Sequence, residues 1–165
     1  MDTEVTIQIT DKDMYRFNMH HAYTGFQGIF ATVIGIAVLA VAVVTWGRVD
    51  TAYSVLYAIF GVIFLVYTPL ALKMRSKRQM LLSPVLKEPM HYSFDEAGIH
   101  VAIGEQQADL EWKMVYRMLS TGRQLLIYST RVNAYILPME QLADKYPAVK
   151  ALAEQKLEPY RCKLK

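Results

Sequence analysis

Cysteine is nearly missing from this chain: Cys162 is the single one among 165 residues. One thiol allows neither an intramolecular disulfide nor a thiolate metal cage. There is no Gly-x-Ser-x-Gly elbow and no Gly-rich phosphate loop, and Cys162 sits in a basic tail with no His nearby in sequence, so the usual signatures of nucleophilic and nucleotide chemistry are missing. A more informative deficit is charge. Residues 19–47 contain no Asp, Glu, Lys or Arg, and residues 51–72 again contain none.

What fills those charge-free stretches is apolar. The apolar fraction of the whole chain is 53%, above the roughly 45 to 50% usual for soluble domains, and the excess is concentrated. Crossing about 30 Å of hydrocarbon takes roughly 20 apolar residues in an α-helix. Residues 26–46 and 51–72 each supply that length, so two transmembrane helices are expected. A cleaved signal peptide is not expected, because the leading segment carries Asp2, Glu4, Asp11 and Asp13 and its apolar run is too long.

Only Gly47, Arg48, Val49 and Asp50 separate the two spans, which makes the helices antiparallel neighbours. Lys12 and Arg16 precede the first span, and Lys73, Arg75, Lys77 and Arg78 crowd the exit of the second, whereas the connecting loop offers Arg48 alone. The positive-inside rule then puts both termini in the cytoplasm. Trp46 and Tyr53 fall at the outer interface, and Tyr23, Phe26 and Tyr67 near the inner one. Ala31 and Gly35 form a small-xxx-small pair on the first span.

Beyond the spans the periodicity changes to two. Met90, Tyr92 and Phe94 alternate with His91 and Ser93, a turn follows at residues 95–98, and Ile99, Val101 and Ile103 alternate with His100 and Ala102. Pairing Phe94 with Ile99 puts all six large apolar side chains on one face. Leu110, Trp112, Met114, Tyr116 and Met118 alternate with polar neighbours and read as one long half-buried strand. Strands over 125–129 and 134–137 complete an antiparallel meander. Pro138 ends the sheet, and a C-terminal helix carries Leu142, Val149 and Leu152, with Pro147 forcing a break or a fresh first turn. Val5, Ile7 and Ile9 alternate with polar residues as a further strand, before a helix opened at residues 10–13. The expected fold is α+β: a two-helix transmembrane hairpin inserted in a small antiparallel sheet domain. Its segments are an N-terminal strand and short helix at 1–25, the membrane hairpin at 26–72 and a cytoplasmic domain at 73–165.

Several stretches resemble the YcxB-like family of bacterial membrane proteins. They are residues 10–13 and 17–21 before the first span, residues 92–99 in the hairpin, Trp112 with Val115, and residues 135–138 before the last helix. The resemblance implies a strand and short helix ahead of two spans, then a compact cytoplasmic domain similar to the pleckstrin-homology-like fold. It implies the inner membrane of a bacterium and supplies no catalytic residues.

Candidate sites are few. His91 and His100 project from the polar face roughly 7 to 8 Å apart, yet their spacing matches no zinc signature even with Glu105 as a third ligand. His20 and His21 point about 100° apart on a helix and cannot chelate through one face. No metal, cofactor or catalytic residue is expected. Lys73, Arg75, Lys77 and Arg78 are candidate contacts for anionic lipid, worth about 1 kcal/mol each near a charged leaflet. Trp112 is a candidate core anchor or recognition aromatic. The net charge of +3 is too modest, and too little interleaved with aromatics, for a nucleic-acid platform.

The expected partners are the lipid bilayer and a second protein or another copy of the chain. The favoured function is a non-enzymatic protein- or lipid-binding module tethered to the membrane. Alternatives are an immunity protein that neutralises a membrane-acting toxin, and a small subunit of a membrane enzyme or transporter. The last is disfavoured because neither span carries an ionisable group of the kind a transport path uses.

Overall fold

The computed structural model describes residues 3–165, with the side chain of Gln27 also excluded; Asp2, one of the acidic residues ahead of the first span, lies outside them. The order of elements is β1 (Thr3–Ile7), α1 (Asp11–Thr24), α2 (Phe26–Thr45), α3 (Thr51–Leu82), β2 (Met90–Phe94), β3 (Gly98–Ile103), β4 (Gln106–Glu111), β5 (Arg117–Ser120), β6 (Gln124–Tyr128), β7 (Ala134–Pro138), α4 (Met139–Leu142), α5 (Tyr146–Lys156) and β8 (Cys162–Lys163). The chain forms two compact units, one of residues 1–13 and 80–165 and the other of residues 14–79.

In the helical unit, α2 and α3 are both long and apolar enough to cross a membrane. They pack antiparallel, as three contacts show. A Cβ placed on Gly35 would meet the side chains of Leu65 and Phe64, one on Gly61 would meet Leu39, and the Thr45 and Ser54 hydroxyls lie 3.2 Å apart near the loop. Gly35 was legible as half of a small-residue pair; Gly61 across from it was not. Away from this seam the helices leave their apolar side chains uncovered: Val33, Val43, Ile59, Val62 and Ile63 are all more than half exposed. Asn18 on α1 donates to Ser76 Oγ at 2.8 Å, and that hydroxyl donates in turn to the Leu72 carbonyl. α3 also runs further than the apolar stretch that defines its span. It passes through Pro69 and the basic residues and ends at Leu82.

The other unit is a pair of four-stranded sheets, β1-β2-β3-β4 and β7-β6-β5-β8. The hairpin register agrees with the apolar pattern: Phe94 faces Ile99, Tyr92 faces Val101 and Met90 faces Ile103. β1 pairs antiparallel with β2, Val5 opposite Tyr92 and Ile7 opposite Met90. Ile7, Tyr92, Phe94, Ile99, Leu125, Leu126, Ile127 and Leu137 make the core, joined by Leu142, Val149 and Ala153 from the C-terminal helices. The Gln8 backbone N–H and carbonyl bond the Gln141 amide at 2.7 and 2.9 Å, which ties the end of β1 to α4.

Two expectations about the strands need correction. The long strand through residues 110–118 is broken: a 3-10 turn at Trp112–Met114 separates β4 from β5, which lie in different sheets. The turn rotates the side chains out of strict alternation, so Val115 is fully buried while Met114 and Tyr116 are exposed at 61% and 45%. The second correction is that the sheet is not a pure meander. The tail contributes β8, which lies parallel to β5 with Met118 opposite Cys162.

A Cβ on Gly61 would also lie 3.1 Å from the Gly35 carbonyl oxygen, whereas Gly122 faces open space. Gly61→Val is therefore expected to lower stability by about 1 to 3 kcal/mol through overpacking, and Gly122→Ala to change it little. Thermal unfolding of both variants in detergent checks this.

Candidate functional site

Strand alternation that sends Tyr92, Phe94, Ile99 and Val101 inward leaves their neighbours on the opposite face of the β1-β2-β3-β4 sheet. The register then aligns those neighbours into two rows. Glu4 lies opposite Ser93, Ser93 opposite His100, and His100 opposite Asp109. Beside them Thr6 lies opposite His91, His91 opposite Ala102, and Ala102 opposite Gln107. These side chains line an open groove of about 650 Å³ on rigid strands.

The rows are bonded internally. Thr6 Oγ1 and His91 Nδ1 are 2.8 Å apart. His100 lies between two carboxylates, with Nδ1 2.6 Å from Asp109 Oδ1 and Nε2 3.1 Å from Asp95 Oδ2. A carboxylate oxygen only accepts, and a neutral imidazole has a single N–H to give. Donating at both nitrogens therefore calls for the imidazolium, and the hydrogen bond to Asp109, helped by Asp95, holds its pKa above the ordinary histidine value.

Asp95 is placed by its own turn. Its Oδ1 accepts from the backbone N–H of Ala97 at 2.8 Å and of Gly98 at 2.9 Å, an Asx-type arrangement. Those bonds, Gly98 first, hold the Asp95 carboxyl below the usual carboxylate range, and His100 adds to the effect. The Asp95 carbonyl accepts from the Trp112 indole N–H at 2.9 Å. Trp112 itself is buried beneath the turn. Behind the groove, burial pushes the Tyr92 phenol upward; its hydroxyl donates to the Met90 sulfur at 3.4 Å, and its ring meets Tyr135 edge-on at 6.1 Å.

The other residues singled out by sequence lie elsewhere. Lys73, Arg75, Lys77 and Arg78 are exposed on the later turns of α3, distributed around its circumference. His91 and His100 share the groove without facing one another, and Glu105 sits in the turn after β3. Among the described residues no group of three or more His, Cys, Asp and Glu side chains is arranged to hold a metal ion. Glu4, Thr6, Gln107 and Asp109 were missed as groove residues, because only the cross-strand register brings them level with the histidines. The arrangement provides a polar surface with a cation flanked by carboxylates, hydroxyl groups and an amide, suited to hydrogen bonding.

Comparison with known proteins bears on this unit. The model of the family described as YcxB-like protein matches residues 94–153, from the end of β2 into α5, so the family resemblance is shown and rests on that segment. No curated protein matches the chain.

The His100 cluster makes stability depend on pH. Folding raises the His100 pKa, so its contribution is fully present below the unfolded value of about 6.5 and is lost as pH rises through the folded one. Asp95 acts with the opposite sign: its contribution is present above the ordinary carboxylate value and is lost as pH falls through the lowered one. His100→Asn is expected to flatten the decline in melting temperature as pH rises above the unfolded histidine value of about 6.5. Melting curves across that range, with an NMR titration of the imidazole, check it. Trp112→Phe, which deprives the Asp95 carbonyl of its donor, is expected to cost about 1 to 3 kcal/mol in denaturant unfolding.

Proposed function

We propose that this YcxB-like chain is a non-enzymatic binding module tethered to the bacterial inner membrane, and that the polar groove on the β1-β2-β3-β4 sheet receives a protein partner. The observation that carries the proposal is the groove itself: two rows of hydrogen-bonding side chains on paired strands, several already bonded to one another. Such a surface is ordered before any partner arrives, so little side-chain entropy remains to be lost on binding. Its charge is mixed, with His100 between Asp95 and Asp109 and with Glu4 exposed, which suits a polar protein segment better than an apolar ligand.

Membrane anchoring is supported by the uncovered apolar surfaces of α2 and α3, whose extent is costly in water and favourable in lipid. In this reading the helices form a hairpin inserted within the cytoplasmic domain, the basic end of α3 faces the inner leaflet, and both termini are cytoplasmic. The split of the strands into two sheets of mostly consecutive antiparallel neighbours, followed by α5, supports a pleckstrin-homology-like arrangement. Fold alone does not choose between binding and catalysis. The groove favours binding because its histidines are engaged by Thr6, Asp95 and Asp109.

Photo-crosslinking in native membranes tests the proposal. A probe replacing exposed Gln107 in the groove is expected to give a discrete protein adduct, and one replacing Gln155 on α5 to give none. His91→Ala, which removes a groove side chain, is expected to reduce the Gln107 adduct several-fold. Metal-dependent turnover by the purified protein that disappears in His91→Ala would instead make the chain an enzyme, and an adduct with a membrane-acting toxin would make it an immunity protein.

A further inference from the structure

The second recess lies at the other sheet. It has a volume of about 360 Å³ and is lined by Tyr116, Arg117, Tyr160, Arg161 and Lys163. Three of these five residues are cationic, two are phenolic, and no carboxylate lines the space. The recess exists because the C-terminal tail returns to β5: Met118 N–H donates to the Arg161 carbonyl at 2.8 Å, and Leu119 stands opposite Lys163 in the parallel pairing. This brings a basic pair from one end of the chain beside Arg117, more than forty residues earlier in sequence.

The two guanidinium groups are held but not neutralised. The Arg161 guanidinium donates through Nε to the Tyr116 carbonyl at 3.4 Å, and through Nη2 to the carbonyls of Lys113, at 3.1 Å, and Val115. Carbonyls fix its position and leave its full charge in place. Arg117 stacks 5.0 Å from the centre of the Tyr128 ring, and its buried Nε has no hydrogen-bond partner among the described residues. A buried donor left unmatched is costly, and like charges brought together repel. None of the three cations forms an ion pair among the described residues. An anion in the recess removes the repulsion. Phenol hydroxyls and guanidinium N–H groups are donors suited to the several acceptor oxygens of a phosphate.

We infer that the recess between β5 and the C-terminal strand is a separate binding site for a phosphate-bearing anion, gripped by Arg117, Arg161 and Lys163 with the phenols of Tyr116 and Tyr160. It is independent of the polar groove, which lies on the other sheet and carries mixed charge.

Calorimetric titration of the full chain in nonionic detergent with pyrophosphate tests the site. Saturable binding is expected, weakened about tenfold by Lys163→Glu through loss of a charge-assisted bond. Tyr160→Ala, at a residue 71% exposed and outside every strand, is expected to weaken it severalfold without affecting folding. Lys87→Glu changes net charge equally outside the recess and is expected to leave binding unchanged. Repeating the titration in phosphatidylcholine nanodiscs with and without phosphatidylglycerol identifies the source. Competition by phosphatidylglycerol assigns the site to a lipid headgroup, and undiminished affinity assigns it to a soluble phosphate compound. The inference is overturned if no saturable binding occurs, or if Lys163→Glu and Lys87→Glu weaken it alike.

Discussion

The sheet unit depends on one junction, where the Trp112 indole donates to the Asp95 carbonyl. The backbone turns there through a short 3-10 segment and leaves one sheet for the other. A tryptophan is large enough to fill the space such a turn opens, and its N–H supplies the donor that the turn carbonyl needs. The same Asp95 closes the β2–β3 turn with one carboxylate oxygen and holds His100 with the other. A single residue thus couples the hairpin turn, the crossing between sheets and the edge of the polar groove.

That coupling explains why a groove of polar side chains can be rigid. Its side chains project from paired strands whose inner face is packed with Tyr92, Phe94, Ile99 and Val101, so the backbone beneath them has little freedom. Ion pairs on an open surface contribute little by themselves. In the His100 cluster, geometry rather than strength is the useful property: two carboxylates set the orientation and charge of the ring. The opposite sheet achieves a different electrostatic result, because backbone carbonyls rather than carboxylates position Arg161. One unit therefore presents a polar face of mixed charge and a basic recess.

Much of this was legible in local pattern. The hairpin register followed from six apolar residues, because a slip by one would have turned every one of them to the wrong face. Pro147 was read as forcing either a break or a fresh first turn, and α5 begins at Tyr146 beside it. The strand across residues 110–118 was misread because its alternation continues through the bend; periodicity records which residues are apolar, and a 3-10 turn changes where they point. The tail was passed over because two residues of strand carry no periodicity at all. Glu4, Thr6, Gln107 and Asp109 each looked like an ordinary solvated residue, and their common row emerges only when four strands are aligned.

By itself the sequence determined the two long apolar helices, the α+β character of the remainder and the inward face of the central hairpin. These follow from composition and period, which act over a few neighbouring residues. Tertiary structure alone decided the split into two sheets, the pairing of β1 with β2, the parallel return of the tail and the two recesses. Each of these joins residues far apart in the chain, and such contacts are selected by packing and hydrogen-bond satisfaction across the whole unit.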